Sequence, residues 1–270
     1  MLLLENKESF EIDESIFVEC NMQDTAFFDI ETTGFDKEKD TIILISLGYF
    51  DKERYFTVKQ YYAENIEDEK KVLNSFLEDL NKFDKWCSYN GLAFDEPFVK
   101  KRMEINNINF SCPLKHIDLY RLIKPHQKQI ALESCKLKSV EKYIGIERKD
   151  KIDGGMSIEL YYEFLSTKNE KIKEIILLHN YEDVLNLPKI YNLAYKICKE
   201  YPIELKENLI TEKQLGFLKS LLKRNKMNLN VDLKKISKRT ASKLIDSIIK
   251  GNRDKEDLMI FIINDNNNVH

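Results

Sequence analysis

The sequence predicts an α/β fold: a mixed five-stranded sheet flanked by helices, with a small helical module after it. Two observations lead to this prediction. The first half of the chain follows the order strand-strand-strand-helix-strand-helix-strand, which is typical of an antiparallel meander extended by parallel strands. The charge then changes sign near residue 205: residues 1–205 carry 29 Lys and Arg against 38 Asp and Glu, whereas residues 206–251 carry 12 against 4. We therefore expect an acidic body and a basic module.

The sheet begins with three segments rich in β-branched and aromatic residues, at 25–30, 41–50 and 54–60. The short polar link Asp51-Lys52-Glu53 predicts that the last two form a hairpin. Residues 1–23, which are rich in Glu and Asp, are expected to form an N-terminal leader that precedes the sheet.

An amphipathic helix is predicted over residues 68–83, because apolar residues recur there at helical spacing on an otherwise charged surface. A strand at 85–89 follows, then a turn at Asn90-Gly91 and a helix that begins near Asp95. A strand at 114–118 completes the five-stranded sheet. The apolar stripe of the first helix consists of Val72, Leu73, Phe76, Leu77 and Leu80.

The remainder of the chain is predicted to be helical. Helical segments lie at 137–144, 157–165 and 169–187, and Pro188 ends or kinks the last of these before a final helix runs to residue 200. A linker at 201–208 precedes a capping box, Thr211 with Gln214, which starts a new helix. The expected divisions are a leader at 1–23, the α/β domain at 24–200, a basic two-helix module at 206–251 and a C-terminal tail at 252–270.

Bulk composition places the protein among folded cytoplasmic proteins. A chain of 270 residues with 43% hydrophobic content can bury a full core. No apolar run approaches the roughly 20 residues that span a bilayer, so no membrane partner is expected. The five cysteines are odd in number and scattered, without a C-x-x-C pair, which indicates reduced structural thiols.

Two carboxylates end the first predicted strand, in Asp29-Ile30-Glu31. Alternate residues of a strand point to the same face, so both side chains can approach one cation. Burying two carboxylates without a partner costs several kcal/mol each, which disfavours a dry core strand. A solvated strand end is the structural alternative.

Two further carboxylates, Asp95 and Asp183, follow later in the chain. Asp95 stands where a helix begins, and by itself would be an ordinary N-cap. Asp183 lies four residues after His179 in a predicted helix, so the two side chains share one helical face. By itself that pair would be an ordinary solvated contact.

Taken together, these motifs resemble the DEDD exonuclease superfamily, which contains the DnaQ-like proofreading enzymes. Residues 28–34, Phe-Asp-Ile-Glu-Thr-Thr-Gly, match the first motif of that group without a mismatch. Within it, the chain is most similar to the YprB-like ribonuclease H-like branch, over about residues 24–195. The segments that carry this similarity are Ser88-Tyr89-Asn90-Gly91 with Phe94-Asp95, Leu137-Lys138-Ser139-Val140-Glu141, Arg148, Asp153-Gly154, and the His-Asn-x-x-Asp-Val motif at 179–184.

The resemblance implies a ribonuclease H-like fold and a metal-dependent 3′-to-5′ exonuclease that acts on DNA or RNA. It also implies two divalent cations, Mg²⁺ or Mn²⁺, since hard oxygen ligands suit hard ions. In the superfamily, a Tyr four residues before the last Asp or a His five residues before it acts on the attacking water. Here His179 occupies the tyrosine position, and we expect it to be a base or to position the water. The implied metal ligands are Asp29, Glu31, Asp95 and Asp183.

Four carboxylates in one cleft repel a polyanion, so cations or basic side chains must assist strand binding. Thr32 and Asn90, which lie in the motifs, are expected to contact the strand. A positive stretch close to the end of the sheet either lines the groove or forms a solvated helix face. It consists of Arg121, Lys124, His126, Lys128, Lys136 and Lys138.

The basic module offers a second surface for a single-stranded or 3′-ended nucleic acid. Its density of positive charge predicts salt-dependent attraction of phosphates without sequence reading, and docking of a protein partner is the competing role. The side chains left outside its small core are Lys223, Arg224, Lys226, Lys234, Lys235, Lys238 and Arg239.

Two other functions are compatible with the sequence. One is a binding or scaffold protein whose carboxylate site is weak or idle, which the position of His179 would favour. The other is an enzyme that splits small phosphodiesters, which would leave the basic module without a purpose.

Overall fold

The structure is a computed structural model that describes residues 1–113, 115–202, 209–229 and 231–266. Most of the predicted linker, residues 203–208, and the last four residues of the predicted tail lie outside the described part. The chain separates into two compact units, Met1–Tyr201 and Pro202–His270.

The first unit has a mixed six-stranded sheet with helices on both faces, the ribonuclease H-like fold. Its strand order is β1-β4-β3-β2-β5-β6. Neighbouring strands from β1 to β2 are antiparallel, whereas β2, β5 and β6 are parallel. The strands are β1 (Leu2–Glu8), β2 (Thr25–Thr32), β3 (Ile42–Phe50), β4 (Phe56–Tyr62), β5 (Lys85–Ser88) and β6 (Lys115–Asp118).

The sixth strand, β1, comes from residues predicted to be a leader, so the expectation of five strands was wrong. Leu2 and Leu4 pack against the core while Leu3 is exposed, the alternation of an edge strand with one buried face. Helix α1 (Glu14–Glu19) also arises from this segment. Its Phe17 is buried with the ring 5.0 Å from that of Phe50, which holds the segment to the sheet.

One face of the sheet is covered by helices α2 (Glu69–Leu80) and α3 (Asp95–Ile105). The predicted apolar stripe of α2 is buried there, apart from the half-buried Leu77. Ala26, Phe28 and Ile30 of β2 belong to the same core cluster. Even-numbered residues of β2 therefore face α2 and α3.

The opposite face is covered by the remaining helices of the first unit. Phe27 of β2 and Val184 share the core on this side, so Asp29 and Glu31, which have the same parity as Phe27, face it too. The predicted break near Pro188 is confirmed, because two helices meet at Asn186. The helices are α4 (Leu119–Ile123), α5 (Leu137–Tyr143), α6 (Gly154–Thr167), α7 (Glu170–Leu185) and α8 (Leu187–Glu200).

The second unit has its own apolar core and contains α9 (Glu212–Arg224), α10 (Lys238–Ile249) and α11 (Lys255–Asn266). The capping box of Thr211 and Gln214 starts α9, as the sequence predicts. Helix α11 lies in residues predicted to be a tail. Its Leu258 and Ile262, four residues apart, are buried with the core residues of α9 and α10.

Candidate active site

The first part of the site is the end of β2. Glu31 is buried, and the register with β3 shifts between Glu31 and Thr32, a bulge that turns the chain out of the sheet. Thr32 Oγ1 then donates to the carbonyl of Gly34 at 2.6 Å. A Cβ at Gly34 would lie 2.4 Å from Asp40 Oδ2, so a larger residue in this turn would have to displace the Asp40 side chain.

Asp95 enters the site from the other side of β2, at the start of α3. Its Oδ1 accepts a hydrogen bond from the Ile30 backbone N–H at 3.2 Å, which fixes the carboxylate beside the strand. Asp118 caps α4 and also accepts hydrogen bonds from the backbone N–H groups of Asn90 at 2.8 Å and Leu92 at 3.2 Å. The segment before Asp95 is thereby tied to the end of β6.

Helix α7 contributes His179 and Asp183 from one face. His179 Nε2 lies 3.5 Å from Glu31 Oε1 and 3.6 Å from Asp183 Oδ2. The neighbouring Asn180 donates from Nδ2 to Asp29 Oδ2 at 2.7 Å, and its Oδ1 accepts from Ser46 Oγ of β3. Hydrogen bonds thus join α7 directly to the two central strands.

Behind these residues lies a buried charged frame that sequence reasoning missed. Asp150 Oδ2 contacts His179 Nδ1 at 2.9 Å, Lys138 Nζ at 2.7 Å and the Arg148 guanidinium at 3.0 Å. Burial acts to raise the pKa of Asp150, but hydrogen bonds from Lys138 and His179 lower it to about 2. Asp150 is therefore a carboxylate at neutral pH.

Arg148 is the centre of this frame. Its guanidinium contacts Asp183 Oδ1, lies 3.1 Å from Glu141 Oε1 and donates to the His179 carbonyl at 2.9 Å. The pKa of Arg148 is raised because the carboxylates of Asp183 and Glu141 outweigh burial. Arg148 therefore holds one oxygen of Asp183, while the other faces His179.

The carboxylates around the end of β2 repel one another in a buried setting. Burial raises the pKa of Asp29 well above its usual range, and Asp95, Asp183 and Glu31 raise it further. Burial, followed by Asp183, has the same effect on the pKa of Glu31. Burial also raises the pKa of Asp95 to about 7. The site therefore favours neutralisation by protons or by cations.

Glu31, His179 and Asp183 have the spacing of metal ligands. One donor atom from each of Glu31, His179 and Asp183 lies within 4.8 Å of the other two. Carboxylate oxygens and an imidazole nitrogen form a donor set that divalent cations accept, so the residues present fit such an ion.

The site opens into a cleft of about 320 Å³. Asp29, Glu31, His179 and Asp183 line it on one side, and the exposed ring of Phe35 lies 6.1 Å from that of Phe94 at its edge. The predicted contact residues that line the cleft are Thr32, Lys136 and Lys138.

The other residues of the predicted positive stretch lie in different places. Asn90, Lys124 and Lys136 line a neighbouring cleft with Tyr89 and Tyr120, so Lys136 borders both clefts. Arg121 pairs with Asp118 at 3.5 Å, and Lys128 is exposed. His126 is buried and forms a hydrogen bond through Nδ1 with Gln129, so its place in a groove was wrongly expected.

The predicted basic residues of the second unit are exposed. Lys234 and Lys235 lie in a short 3-10 turn, and Lys238 and Arg239 begin α10.

The missed residues gave weak sequence signals for a physical reason. Arg148 and Asp150 stand in Glu147-Arg148-Lys149-Asp150-Lys151, a charged run that has the appearance of a solvated surface. Only the fold shows that Arg148 and Asp150 are the buried members of the run. In the sequence, only the family resemblance, which includes Arg148, pointed to this charged frame.

Comparison with known proteins agrees with this fold. A family model of the RNase H superfamily matches residues 26–195, and the chain belongs to that superfamily. It is similar to the uncharacterized protein YprB of Bacillus subtilis (strain 168), with 30% identity over 185 residues, 67% of this chain and 44% of YprB. The expected resemblance to YprB is thereby confirmed.

Two DNA polymerases are also similar to parts of the chain. One, from Methanocaldococcus jannaschii, is 28% identical over 109 residues, 38% of this chain and 7% of the polymerase. The solved family B DNA polymerase of the hyperthermophilic archaeon Pyrobaculum calidifontis shares the fold, with a TM-score of 0.51 and 18% identity over 64% of this chain and 24% of the polymerase. The chain spans less than half the length of each relative.

Within the described residues, no helix has both the length and the apolar character needed to cross a membrane.

Proposed function

We propose that this protein is a metal-dependent 3′-to-5′ exonuclease that hydrolyses phosphodiester bonds of single-stranded or 3′-ended DNA or RNA. The observation that carries the proposal is a set of carboxylates from three separate elements: Asp29, Glu31 and Asp183 line one cleft, and Asp95 accepts a hydrogen bond from the backbone N–H of Ile30, between Asp29 and Glu31. Such a set of buried like charges destabilises a fold, and bound cations remove this cost because they neutralise the charges. The direction of cleavage comes from the resemblance to the DEDD superfamily.

Membership of the RNase H superfamily and similarity to two DNA polymerases support a nucleic acid as the substrate. The four carboxylates would hold two ions, Mg²⁺ or Mn²⁺. When bound, such ions supply positive charge for phosphate oxygens and lower the pKa of water. The chain itself orients the ligands: Asn180 fixes Asp29, the Ile30 N–H fixes Asp95 and Arg148 fixes Asp183.

The cleft also has groups suited to a strand. Lys136 and Lys138 provide positive charge that opposes repulsion between the carboxylates and the backbone phosphates. Phe35 and Phe94 offer aromatic faces on which a terminal base can stack without sequence preference. This combination favours a polymer strand over a small phosphodiester.

The test is degradation of 5′-labelled single-stranded DNA and RNA oligonucleotides with Mg²⁺ or Mn²⁺. We expect a metal-dependent ladder of shortened labelled strands, no product with EDTA and no cutting of a circular single strand. Asp29→Ala should reduce the rate by about 100-fold or more, because it removes a metal ligand. Asp84→Ala, which changes an exposed Asp, is the matched control and should retain activity.

Other outcomes would replace the proposal. Equal binding of strands by wild type and Asp29→Ala, without shortening under either metal, would identify a binding or scaffold protein. Hydrolysis of mononucleotide esters but not of oligonucleotides would identify a phosphodiesterase for small substrates. Immediate release of a labelled mononucleotide would show that the strand is degraded from its 5′ end instead.

A further inference from the structure

We propose that His179 Nε2 is a direct metal ligand, so that one cation position in the cleft prefers Mn²⁺ and related first-row transition ions to Mg²⁺. This inference deepens the proposed function and rests on its metal site. It replaces the role of base that the sequence pattern alone suggests for His179. Asp150 is then a positioning residue that acts through the imidazole ring.

The donor atoms around His179 Nε2 have the spacing of ligands of one ion. Bonds of about 2.1 Å at angles of about 90–110° place two ligands of one ion roughly 3.0–3.5 Å apart. His179 Nε2 stands 3.5 Å from Glu31 Oε1, at the upper end of that range, and 3.6 Å from Asp183 Oδ2, just above it. An ion held among the three atoms lies within bonding reach of the nitrogen.

Asp150 fixes the orientation of the His179 ring. Asp150 lies between Lys138 and Arg148, and as a carboxylate it can only accept hydrogen bonds. His179 Nδ1, at 2.9 Å, must therefore be the donor, which leaves the lone pair of the neutral ring on Nε2. A carboxylate behind a histidine is the arrangement that orients metal-ligating imidazoles in proteins.

Each of the three residues offers one donor atom to the ion. Arg148 occupies Asp183 Oδ1, so Asp183 presents Oδ2 to the cleft. Together with Glu31 Oε1 and His179 Nε2, this gives one nitrogen and two oxygen donors. Imidazole nitrogen suits transition ions, whereas Mg²⁺ prefers oxygen ligands and retains several waters.

A base acting on a water would require a different distance. The water would lie between the ring and the ion, which would separate Nε2 from the ion by roughly 4 to 5 Å. The side chain of His179 is 4% exposed and packed against two carboxylates, so the space in front of Nε2 is the space among the ligands themselves. The geometry thus favours direct binding of the ion by His179 Nε2 over action of His179 on a water.

The experiment is electron spin echo envelope modulation of the full chain loaded with Mn²⁺. A directly bound imidazole nitrogen modulates the echo, and we expect this signal in the wild type and its altered form after labelling with ¹⁵N-histidine. His179→Gln should abolish the signal and weaken Mn²⁺ binding by about 10-fold or more. Mg²⁺ affinity, measured by competition, should change by less than about threefold, because oxygen ligands remain.

The matched control is His116→Gln, since His116 forms hydrogen bonds with Ser88 and Glu96 and does not line the cleft. It should keep the nitrogen signal, and thermal unfolding of both variants reports whether each is folded. Absence of nitrogen modulation in Mn²⁺-loaded wild type would overturn the inference. So would a His179→Gln variant that binds Mn²⁺ as tightly as wild type and loses only turnover, the result expected of a base.

These outcomes are separable from failure of the proposed function. A protein that shows the nitrogen signal but degrades no strand has the metal ligand without the exonuclease. A protein that degrades strands without the signal is the exonuclease with a histidine that acts on water.

Discussion

At the scale of single residues, Asp95 links the chemistry of the site to the stability of the fold. Its pKa is raised to about 7 by burial, whereas an Asp in an unfolded chain titrates near 3.9. The folded state therefore takes up a proton more readily than the unfolded state. An ionised Asp95 destabilises the metal-free protein fully above pH 7, and this penalty fades as the pH falls towards about 4.

We predict that the pH gradient of metal-free stability depends on Asp95. In urea titrations with EDTA, the free energy of unfolding of wild type should rise as the pH is lowered from 8 to 6. The rise should exceed that of Asp95→Asn by about 1 kcal/mol, since one proton contributes up to about 1.4 kcal/mol per pH unit. The amide retains an oxygen for the Ile30 N–H, so the local hydrogen bond can persist. Parallel gradients for the two proteins would contradict the prediction.

Other titrating groups do not confuse this comparison. Burial lowers the pKa of His116, so His116 weakens the fold as the pH falls below about 6.5, the opposite direction. That effect is present in both proteins and cancels in the difference. Asp29 and Glu31 have raised pKa values and act in the same direction as Asp95. The part of their shift that comes from the Asp95 charge is lost in Asp95→Asn, so it adds to the same difference.

At the scale of elements, the segment between α5 and α6 completes the site. Arg148 from this segment contacts carboxylates of α5, α7 and its own loop. Removing the cation from such a buried cluster leaves uncompensated negative charges. This costs more stability than replacing the whole cluster by apolar residues. Together with the hydrogen bonds of Asn180, this guanidinium holds α7 and both of its site residues in position.

We predict that Arg148→Met lowers the free energy of unfolding by about 3–5 kcal/mol, measured by urea denaturation. Glu141, Asp150 and Asp183 would lose their shared cation in a buried setting. Arg121→Met is the matched control. Arg121 is half-exposed and pairs with Asp118 at 3.5 Å, so its removal should cost less than about 1 kcal/mol. Equal losses in the two variants would show that Arg148 does not stabilise the site.

Elements with strong internal patterns could be predicted from the sequence, and those defined by tertiary contacts could not. The stripe of α2 and the β-branched run of β3 repeat often enough to predict a helix and a strand. Edge strand β1 begins with three consecutive Leu residues, without apolar-polar alternation, and continues with polar and charged ones. Its pairing with β4 therefore decided its structure. Helix α11 is apolar on several faces, which concealed its helical period.

The site shows the same division between residues placed by a local pattern and residues placed by tertiary contacts. Carboxylates on a strand end and on one helical face are readable from sequence spacing, because secondary structure places them. The contacts of Asp150 and Arg148 with α7 join residues about 30 positions apart through an irregular loop. No local period encodes such a loop, so only the folded chain brings this frame to His179.

At the scale of the whole molecule, charge is divided unevenly between the two units. The first unit places its acidic groups at the cleft, and the second exposes a dense set of basic side chains. Counterion release makes binding of such a surface to a strand fall steeply with salt, without dependence on sequence. A surface that docks a protein partner instead would leave the salt dependence of strand binding unchanged.

We predict that four basic residues of the second unit set much of this salt dependence. The plot of log K against log salt for a labelled dT20 strand, measured in EDTA, should become shallower by up to about 3, since each lost phosphate contact removes about 0.7. A variant with the same change in net charge in the first unit should keep the slope of wild type. Equal slopes in all three proteins would favour a partner-docking role for the basic surface. The residues changed to Gln are Lys234, Lys235, Lys238 and Arg239 in the test variant, and the exposed Lys52, Lys70, Lys171 and Lys196 in the control.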